Sequence, residues 1–347
     1  MKKIILAIII ALFVLAGGGA LFALNYYNKG IAAVSEESKE VVVEIESGQA
    51  AYSILNTLNE AGLVKNVTCG KIYLKLNDVG NLQANTYVLN QNMSLEEMFY
   101  VIANPSDEYM VQLEVTILDG TTLPEIAESI ASSLEISPDD VMGLLNDETF
   151  IRTVIDKYWF VTEEVLQEGI RYPLEGYLYP ETYKFNVNNT LEDVIFTSLD
   201  MMDAKISPLK EAIDAMGWSA HEFLSFTAVV ERETLFDEDR PKIAGALMNR
   251  LEINMPLQCD CTVNYAWERT GVDVLYAHLE IDSPYNTYKY AGIPIGPIST
   301  VSEATMNACV NYEDNDYLYF FAKQDGTVIY NSSLDAHNQT VKENKWY

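Results

Sequence analysis

The chain has 347 residues, 49% of them hydrophobic, and a formal net charge of −29. That length accommodates about two domains, and the apolar share is enough to bury a core, which excludes a disordered chain. The acidic balance excludes nucleic acid and anionic lipid headgroups as partners held by charge.

Lys2 and Lys3 precede an uncharged apolar stretch over residues 4–24. As a helix rising about 1.5 Å per residue, that stretch would span about 31 Å, one bilayer core. The lysines predict a cytoplasmic start with the remainder facing outward, and Tyr26 and Tyr27 fall where an interfacial aromatic belt would lie. The pattern predicts a signal-anchor over 1–25. A cleaved signal peptide, with 4–15 as its apolar region, is the competing reading. Either way the body of the protein is exported. Lys29 to Glu40 is mostly polar and aperiodic, so 26–40 reads as a linker.

From Val41 the pattern changes to short strand and helix units. Val41–Ile45 is rich in β-branched residues and reads as a strand that Gly48 ends; Ala51, Ile54, Leu55 and Leu58 follow with helical spacing, and Gly62 is placed to stop that helix. The same grammar recurs further along, where Thr116-Ile-Leu-Asp-Gly120 matches Glu44-Ile-Glu-Ser-Gly48 in form, and Ile126 and Ile130 take the places of Ile54 and Leu58. Between the copies, Tyr87-Val-Leu reads as a strand, and Ser94 with Glu97 forms a capping box. Units of this kind resemble LysM-type modules, which bind glycans; a generic α+β scaffold is the alternative. The expected organisation is a LysM-like subdomain over 41–112 and a catalytic domain over 113–347 with its core at 174–347, α+β overall.

Within the second domain, Ser137-Pro-Asp-Asp opens a helix carrying Val141, Leu144 and Leu145. The prolines, glycine and aromatics of 172–185 cannot form a regular amphipathic element and predict a structured loop. Helices are expected over Leu191–Ile206 and, in short form, Pro208–Gly217. Ser219 and Glu222 form a second capping box that starts a helix running to about Phe236. In that helix the apolar run Phe223–Val230 is interrupted by Glu231, with Leu224, Thr227 and Ala228 on the same face and Glu233 about 200° away. Burying a carboxylate is costly, and desolvation is expected to raise its pKa, as a general acid near neutral pH requires. Asp239 and Pro241 start the next helix, with Ile243, Leu247 and Leu251 as its apolar face. A hairpin is expected from Tyr317–Phe321 and Val328–Tyr330 across Asp325-Gly326.

The residue inventory narrows the chemistry. Walker, dinucleotide-binding and Gly-x-Ser-x-Gly motifs are absent from the sequence. Cys259-Asp-Cys261 is one residue short of a Cys-x-x-Cys pair, and His221, His278 and His337 are scattered and read as surface or loop residues. Nothing points to a metal or other cofactor, and carboxylate chemistry remains. Export permits a disulfide, which spacing alone does not assign.

Thr227-Ala-Val-Val-Glu231-Arg-Glu-Thr234 resembles the signature helix of the YceG-like endolytic murein transglycosylases. The likeness continues in order through Asn249-Arg-Leu251, Met255-Pro-Leu-Gln258, Thr262-Val263 and Tyr265. It then takes in Ser283-Pro-Tyr-Asn-Thr-Tyr288, Gly292-Ile-Pro-Ile-Gly-Pro-Ile298 and Asp316-Tyr-Leu-Tyr-Phe320. Upstream, Leu174-Glu-Gly176 and Pro180-Glu-Thr-Tyr183 resemble a second signature, so that coverage runs from about residue 41 to 347.

The resemblance implies a lyase that cuts peptidoglycan glycan strands between MurNAc and GlcNAc without water and limits nascent strand length. Glu231 would protonate the glycosidic oxygen and then take the proton of the MurNAc C6 hydroxyl as a 1,6-anhydro ring closes. One carboxylate then suffices, where typical glycosidases need two. The expected place is the bacterial plasma membrane, single-pass, with the catalytic domain on the extracytoplasmic side beside the cell-wall synthesis machinery. Glu175, Tyr179, Gln258, Asn286 and Tyr288 are the candidate substrate-binding residues, with loop hydrogen bonding as the alternative role of the last three. Two other readings stay open: a hydrolytic muramidase pairing Glu231 with Glu175 or Glu233, and a non-catalytic wall-binding protein. Cys259 and Cys261 depart from the Ser, Thr and Pro usual in the family, and Ile295 stands where proline is frequent.

Overall fold

A computed structural model describes residues 2–268 and 276–344, the side chains of 2–16, 107 and 276 excepted. The chain divides into two compact units, Met1–Leu113 with Lys184–Asn189, and Glu114–Tyr183 with Thr190–Tyr347. The fold is mixed α/β, mostly helical with small two-stranded sheets.

The first unit begins with helix α1 (Lys2–Ile31). The apolar run 4–24 falls largely on the excepted side chains, and among the described residues no helix is long and apolar enough to cross a membrane. The helix runs past the predicted start of the linker because its last turns gain burial. Tyr27 and Ile31 pack on the unit's core, and Asn66 Nδ2 donates to Tyr26 Oη at 2.9 Å. Strand β1 (Glu40–Ile45) is followed by α2 (Ala51–Glu60), α3 (Val67–Leu76), β2 (Asn85–Asn90) and α4 (Leu95–Ala103). β1 and β2 pair antiparallel, Glu40 opposite Asn90 and Ile45 opposite Asn85. Alternation decides the faces: Val43 and Ile45 are buried while Val42 and Glu44 are exposed. They meet Ile54, Leu55 and Leu58 of α2 and Met98, Phe99 and Ile102 of α4. The Ser94–Glu97 capping box is formed, with Ser94 N–H donating to Glu97 Oε2 at 2.7 Å. α3 was not anticipated.

β3 (Gln112–Thr116), within which the second unit begins, leads to α5 (Leu123–Leu134), α6 (Pro138–Leu145) and α7 (Glu148–Lys157), the last also unanticipated. Strand β4 (Thr182–Asn186) pairs with β3. There follow α8 (Leu191–Ile206), α9 (Lys210–Met216), α10 (Ala220–Glu233), α11 (Arg240–Glu252), α12 (Asp260–Ala266) and α13 (Glu303–Val310). Strands β5 (Tyr319–Ala322) and β6 (Val328–Asn331) form the hairpin, and α14 (Leu334–Asn344) follows.

α10 is the central helix. Ser219 and Glu222 cap it as expected, and from Ala220 to Glu231 every residue but Glu222 is buried. Such a helix, apolar nearly all round, is covered on several sides, here by α9, α11, α12 and α13. It ends at Glu233, three residues before the predicted stop, because Thr234 turns to an extended backbone and its hydroxyl closes on the Val230 carbonyl. His221, read from sequence as a surface residue, is instead buried on α10. Its ring lies between Tyr177 Oη and the Ile295 carbonyl, each 2.7 Å away.

Candidate active site

Glu231 lies in the last turn of α10, 7% exposed. The first turn of α13 faces it. Ser302, the N-cap of α13, donates to Glu231 Oε2 through its backbone N–H at 2.9 Å and its hydroxyl at 2.7 Å, and the Thr305 hydroxyl donates to the same oxygen at 2.6 Å. Arg240, the first residue of α11, donates from Nη1 to Oε1 at 2.8 Å and also to the Thr305 hydroxyl. Among the described residues three donors meet Oε2 and one meets Oε1, which leaves a lone pair on Oε1.

This arrangement corrects the sequence expectation of a raised pKa. Burial does push the Glu231 carboxyl up, but the bonds from Thr305, the Ser302 N–H, Arg240 and the Ser302 hydroxyl outweigh it, and the net shift is downward. Donors that bind only the charged form favour it, and the position at a helix N-terminus acts in the same sense. In the resting protein Glu231 is a carboxylate.

The turn between β3 and α5 forms the other wall. Gly120 has φ of 67°, and a Cβ placed there would lie 4.0 Å from Glu231 Cγ and 3.6 Å from Arg232 Cδ. Arg232 Nη1 donates to the Gly120 carbonyl at 2.6 Å. Thr300 fixes the turn from the far side: its N–H donates to Thr121 O at 2.8 Å, its hydroxyl donates to Leu118 O at 2.8 Å, and it accepts from Thr121 N–H at 3.1 Å. Asp119, exposed at the tip of this turn, is pushed up by partial burial of its carboxyl and by the charge of Glu231, against the pull of Arg240. Sequence reasoning missed Asp119, Arg240, Ser302 and Thr305. The repeated strand–glycine–helix grammar was a signal for the turn, though not for what it would face.

The other predicted site residues divide. Tyr179 is 6% exposed and shares the field of Asp119, Glu303 and Lys205, whose ammonium lies 5.7 Å from its ring centroid. Gln258 is exposed and has φ of 51°, with its N–H donating to Thr287 O at 3.0 Å. Tyr288 Oη donates to Asp260 Oδ1 at 2.5 Å. Glu233 is on that side too, bonded to Cys261, with its carboxyl pushed up by burial. Glu231 and Glu233 thus have separate partners, as their angular spacing predicts. All four cysteines are free thiols.

Asn286 is fully buried and spent on its own loop: Nδ2 donates to Leu279 O and Ile281 O at 2.8 and 2.9 Å, while Oδ1 accepts from Tyr288 N–H at 2.9 Å. Glu175 is 1% exposed; Leu123 N–H donates to its Oε1 at 2.9 Å and Tyr265 Oη to its Oε2 at 3.0 Å. Its carboxyl is pushed up to about 8, mainly by burial. Glu175 ties α5 to α12, and that position offers no open face to a glycan or to a water opposite Glu231. The groove lined by Trp218, His221, Met248, Leu251 and Ile293 flanks the N-terminal end of α10, roughly 15 Å along the helix from Glu231 at about 1.5 Å per residue.

A model of the YceG-like family matches residues 43–343. The endolytic murein transglycosylase of Bacillus subtilis (strain 168) is 36% identical, over 94% of this chain and 90% of its own length. That of Streptococcus pneumoniae serotype 2 (strain D39) is 32% identical over 99% of this chain, which spans only 65% of that longer relative. The crystal structure of a yceG-like protein from Listeria monocytogenes aligns with a TM-score of 0.64 at 33% identity, over 88% of this chain and all of that one. With a helix, a buried carboxylate and an ordered set of loops in common with the pattern read from the sequence, the chain belongs to the YceG-like family.

Proposed function

We propose that this chain is an endolytic murein transglycosylase, a lyase acting on peptidoglycan glycan strands, with Glu231 as the carboxylate that handles protons at the scissile bond. The observation that carries this reading is the surround of Glu231. A carboxylate nearly out of solvent is held in one orientation by Arg240, Ser302 and Thr305, with a lone pair of Oε1 left over. A group so fixed is preorganised for proton transfer and pays no reorganisation at the moment of reaction.

In this reading the strand is cut between MurNAc and GlcNAc. The MurNAc C6 hydroxyl attacks its own C1, the bond from C1 to the glycosidic oxygen breaks, and the hydroxyl proton is taken by Glu231 Oε1 and ends on the departing glycosidic oxygen. The nucleophile belongs to the substrate, so no water is consumed and the new end is a 1,6-anhydro sugar. A hydrolase would need a second carboxylate to direct water; of the two that sequence suggested, Glu175 is buried between Leu123 N–H and Tyr265 Oη and Glu233 is bonded to Cys261, which favours the lyase. The strand–helix–helix–strand order of β1, α2, α3 and β2 supports a LysM-like glycan-holding role for 41–112. The lysines and apolar run at the N-terminus support a single-pass anchor in the bacterial plasma membrane, with the catalytic domain outside, near the cell-wall synthesis machinery.

Digestion of purified peptidoglycan by the full chain, with mass analysis of the fragments, tests the central reading. Fragments should be lighter by one water than those of a muramidase. Fragments carrying the added water would replace the lyase with a hydrolase. Membrane fractionation of cells expressing the full chain tests the anchor, which recovery in the soluble exported fraction would remove.

A further inference from the structure

Among the described residues, Arg240 is the cation that touches Glu231. The two lie at the ends of the connection between α10 and α11, so the aim of the guanidinium depends on where α11 begins. Asp239 stands at the N-cap of α11, where an aspartate usually accepts from the helix's own N–H groups. Here its side chain makes no cap bond, although it is 8% exposed. Asp239 Oδ1 accepts instead from Tyr330 Oη of β6 at 2.7 Å. We propose that Tyr330 and Asp239 are positioning residues for the reaction: through their bond the β5–β6 hairpin fixes the start of α11 and aims Arg240 at Glu231. This inference rests on the transglycosylase reading above.

The hairpin grips the connection at two points. Tyr330 is one, and its ring is itself held. Tyr317 stacks on it with centroids 5.1 Å apart, and Lys242 of α11 places its ammonium 5.8 Å from its centroid. The hairpin tip is the other. A Cβ at Gly326 would lie 2.5 Å from Phe236 Cε2 and 3.2 Å from Leu235 Cδ2, so the tip sits directly on these side chains. Phe236 in turn accepts from Asp239 N–H at 3.1 Å. Between the two grips, Asp237 Oδ1 accepts from Arg240 Nε at 2.9 Å. The guanidinium is thus tied to the connection through Nε, and through Nη1 to Glu231 Oε1 at 2.8 Å and to the Thr305 hydroxyl. Among the described residues neither Tyr330 nor Asp239 bonds Glu231, so both act through Arg240.

A phenol on a nearly buried carboxylate makes a charge-assisted bond. Without it the start of α11 can slide or turn, and the donor on Oε1, the oxygen that takes the proton, moves with it. Arg240 is also one of the donors that hold Glu231 charged. Weakening its hold raises the pH at which Glu231 takes up a proton, so the acid limb of the rate profile moves upward. Besides Arg240, the titratable groups in the field of Glu231 are Asp119 and Cys309, and substitutions at Tyr330 or Asp239 leave both in place.

Full-chain wild type, Tyr330→Phe, Asp239→Asn and Asp239→Ala, assayed on purified peptidoglycan from about pH 4 to about pH 8 with Glu231→Gln as control, test this. Tyr330→Phe keeps the ring stack and removes only the hydroxyl. It and Asp239→Ala should each lower kcat about tenfold with KM unchanged, and should move the acid limb upward. Together they should be no slower than either alone, because both remove one bond. Asp239→Asn keeps an oxygen to accept from the phenol and should stay within about threefold of wild type. Wild-type kcat with an unmoved acid limb in Tyr330→Phe overturns the proposal. So does a loss of rate with an unmoved limb that is recovered by assay further below the melting temperature, which marks a hairpin that only stabilises the fold. If Tyr330→Phe does not fold, Asp239→Ala decides by the same two readouts. In each of these failures an inactive Glu231→Gln leaves the transglycosylase reading standing, whereas normal cleavage by Glu231→Gln removes that reading itself.

Discussion

Two turns in this molecule share one grammar. In the first unit β1 runs into Gly48 and then α2; in the second β3 runs into Gly120 and then α5. Both glycines are left-handed, with φ of 77° and 67°, and both helices bury corresponding positions, Ile54 and Leu58 in one, Ile126 and Ile130 in the other. Their surroundings differ. A Cβ at Gly48 would meet nothing within 4 Å, whereas one at Gly120 would meet Arg232 and Glu231. The residue before the glycine is Ser47 in one and Asp119 in the other. α2 has Ala50 at its N-cap, while at the start of α5 Glu125 accepts from the N–H and hydroxyl of Thr122, and a buried carboxyl, Glu175, accepts from the first helical N–H. The local pattern specifies a turn; the packing of distant segments against one copy turns it into the wall of a site.

If the second turn matters because it abuts a reacting carboxylate, the largest effect comes from removing that carboxylate's charge. Glu231→Gln should lower peptidoglycan cleavage by about 100- to 10,000-fold, the usual range for loss of a proton-transfer group, with the fold intact by circular dichroism. Normal turnover would make the turn at Gly120 as idle as the one at Gly48.

The second difference, the buried carboxyl on α5, is expected to act on stability. Glu175 is pushed up to about 8 in the folded chain from an ordinary 4.5. A carboxyl with a raised folded pKa contributes most below the unfolded value, and stability is lost as pH rises from there towards the folded value. Keeping it protonated at pH 7 costs about 3 kcal/mol on this basis. Glu175→Gln has the shape of the protonated acid, keeps an oxygen to accept from Leu123 N–H, and carries no such cost. Its melting temperature should match wild type near pH 4 and exceed it increasingly up to about pH 8. A variant less stable than wild type at pH 7 would mean that Glu175 is ionised and paired.

Ser302→Ala should have a smaller effect, of opposite sign in pH. The Ser302 hydroxyl is one of the donors that hold the Glu231 pKa down. A depressed carboxylate contributes stability above its unfolded pKa, and that stability is lost as pH falls through the folded value. Removing the hydroxyl should therefore cost about 1–2 kcal/mol at neutral pH, less in acid, and should move the acid limb of the rate profile upward. An unmoved limb would show that Ser302 does not set the charge of Glu231.

What was legible in the sequence was local. β-Branched residues marked β1, Ser-x-x-Glu marked α4 and α10, and a charge inside an apolar run marked Glu231. α3 and α7 escaped because their signals are weak: α3 carries Gly70 and buries Cys69 and Tyr73 in place of aliphatic residues, and α7 is more polar than apolar. The site's composition escaped because it is long-range. Ser302 and Thr305 lie 71 and 74 residues from Glu231 in sequence. The error over the Glu231 pKa has the same origin, since the sequence indicates burial but not the donors that compensate it.

The smallest effect makes the sharpest comparison. Alanine at either turn glycine must adopt a positive φ, at a cost of about 1 kcal/mol. Gly48→Ala and Gly120→Ala should therefore lower the melting temperature by similar amounts. At Gly120 the added methyl meets Arg232 and Glu231 at ordinary contact distance, 3.6 to 4.0 Å, so it need not break the packing. Relaxing the strain would instead shift the turn that walls Glu231. Displacements of this kind at a reacting group cost rate steeply, and Gly120→Ala should lose several-fold in cleavage while Gly48→Ala keeps wild-type turnover. Equal rates in both variants would show that the second turn tolerates movement as the first does, and that adjacency to Glu231 gives it no part in the chemistry.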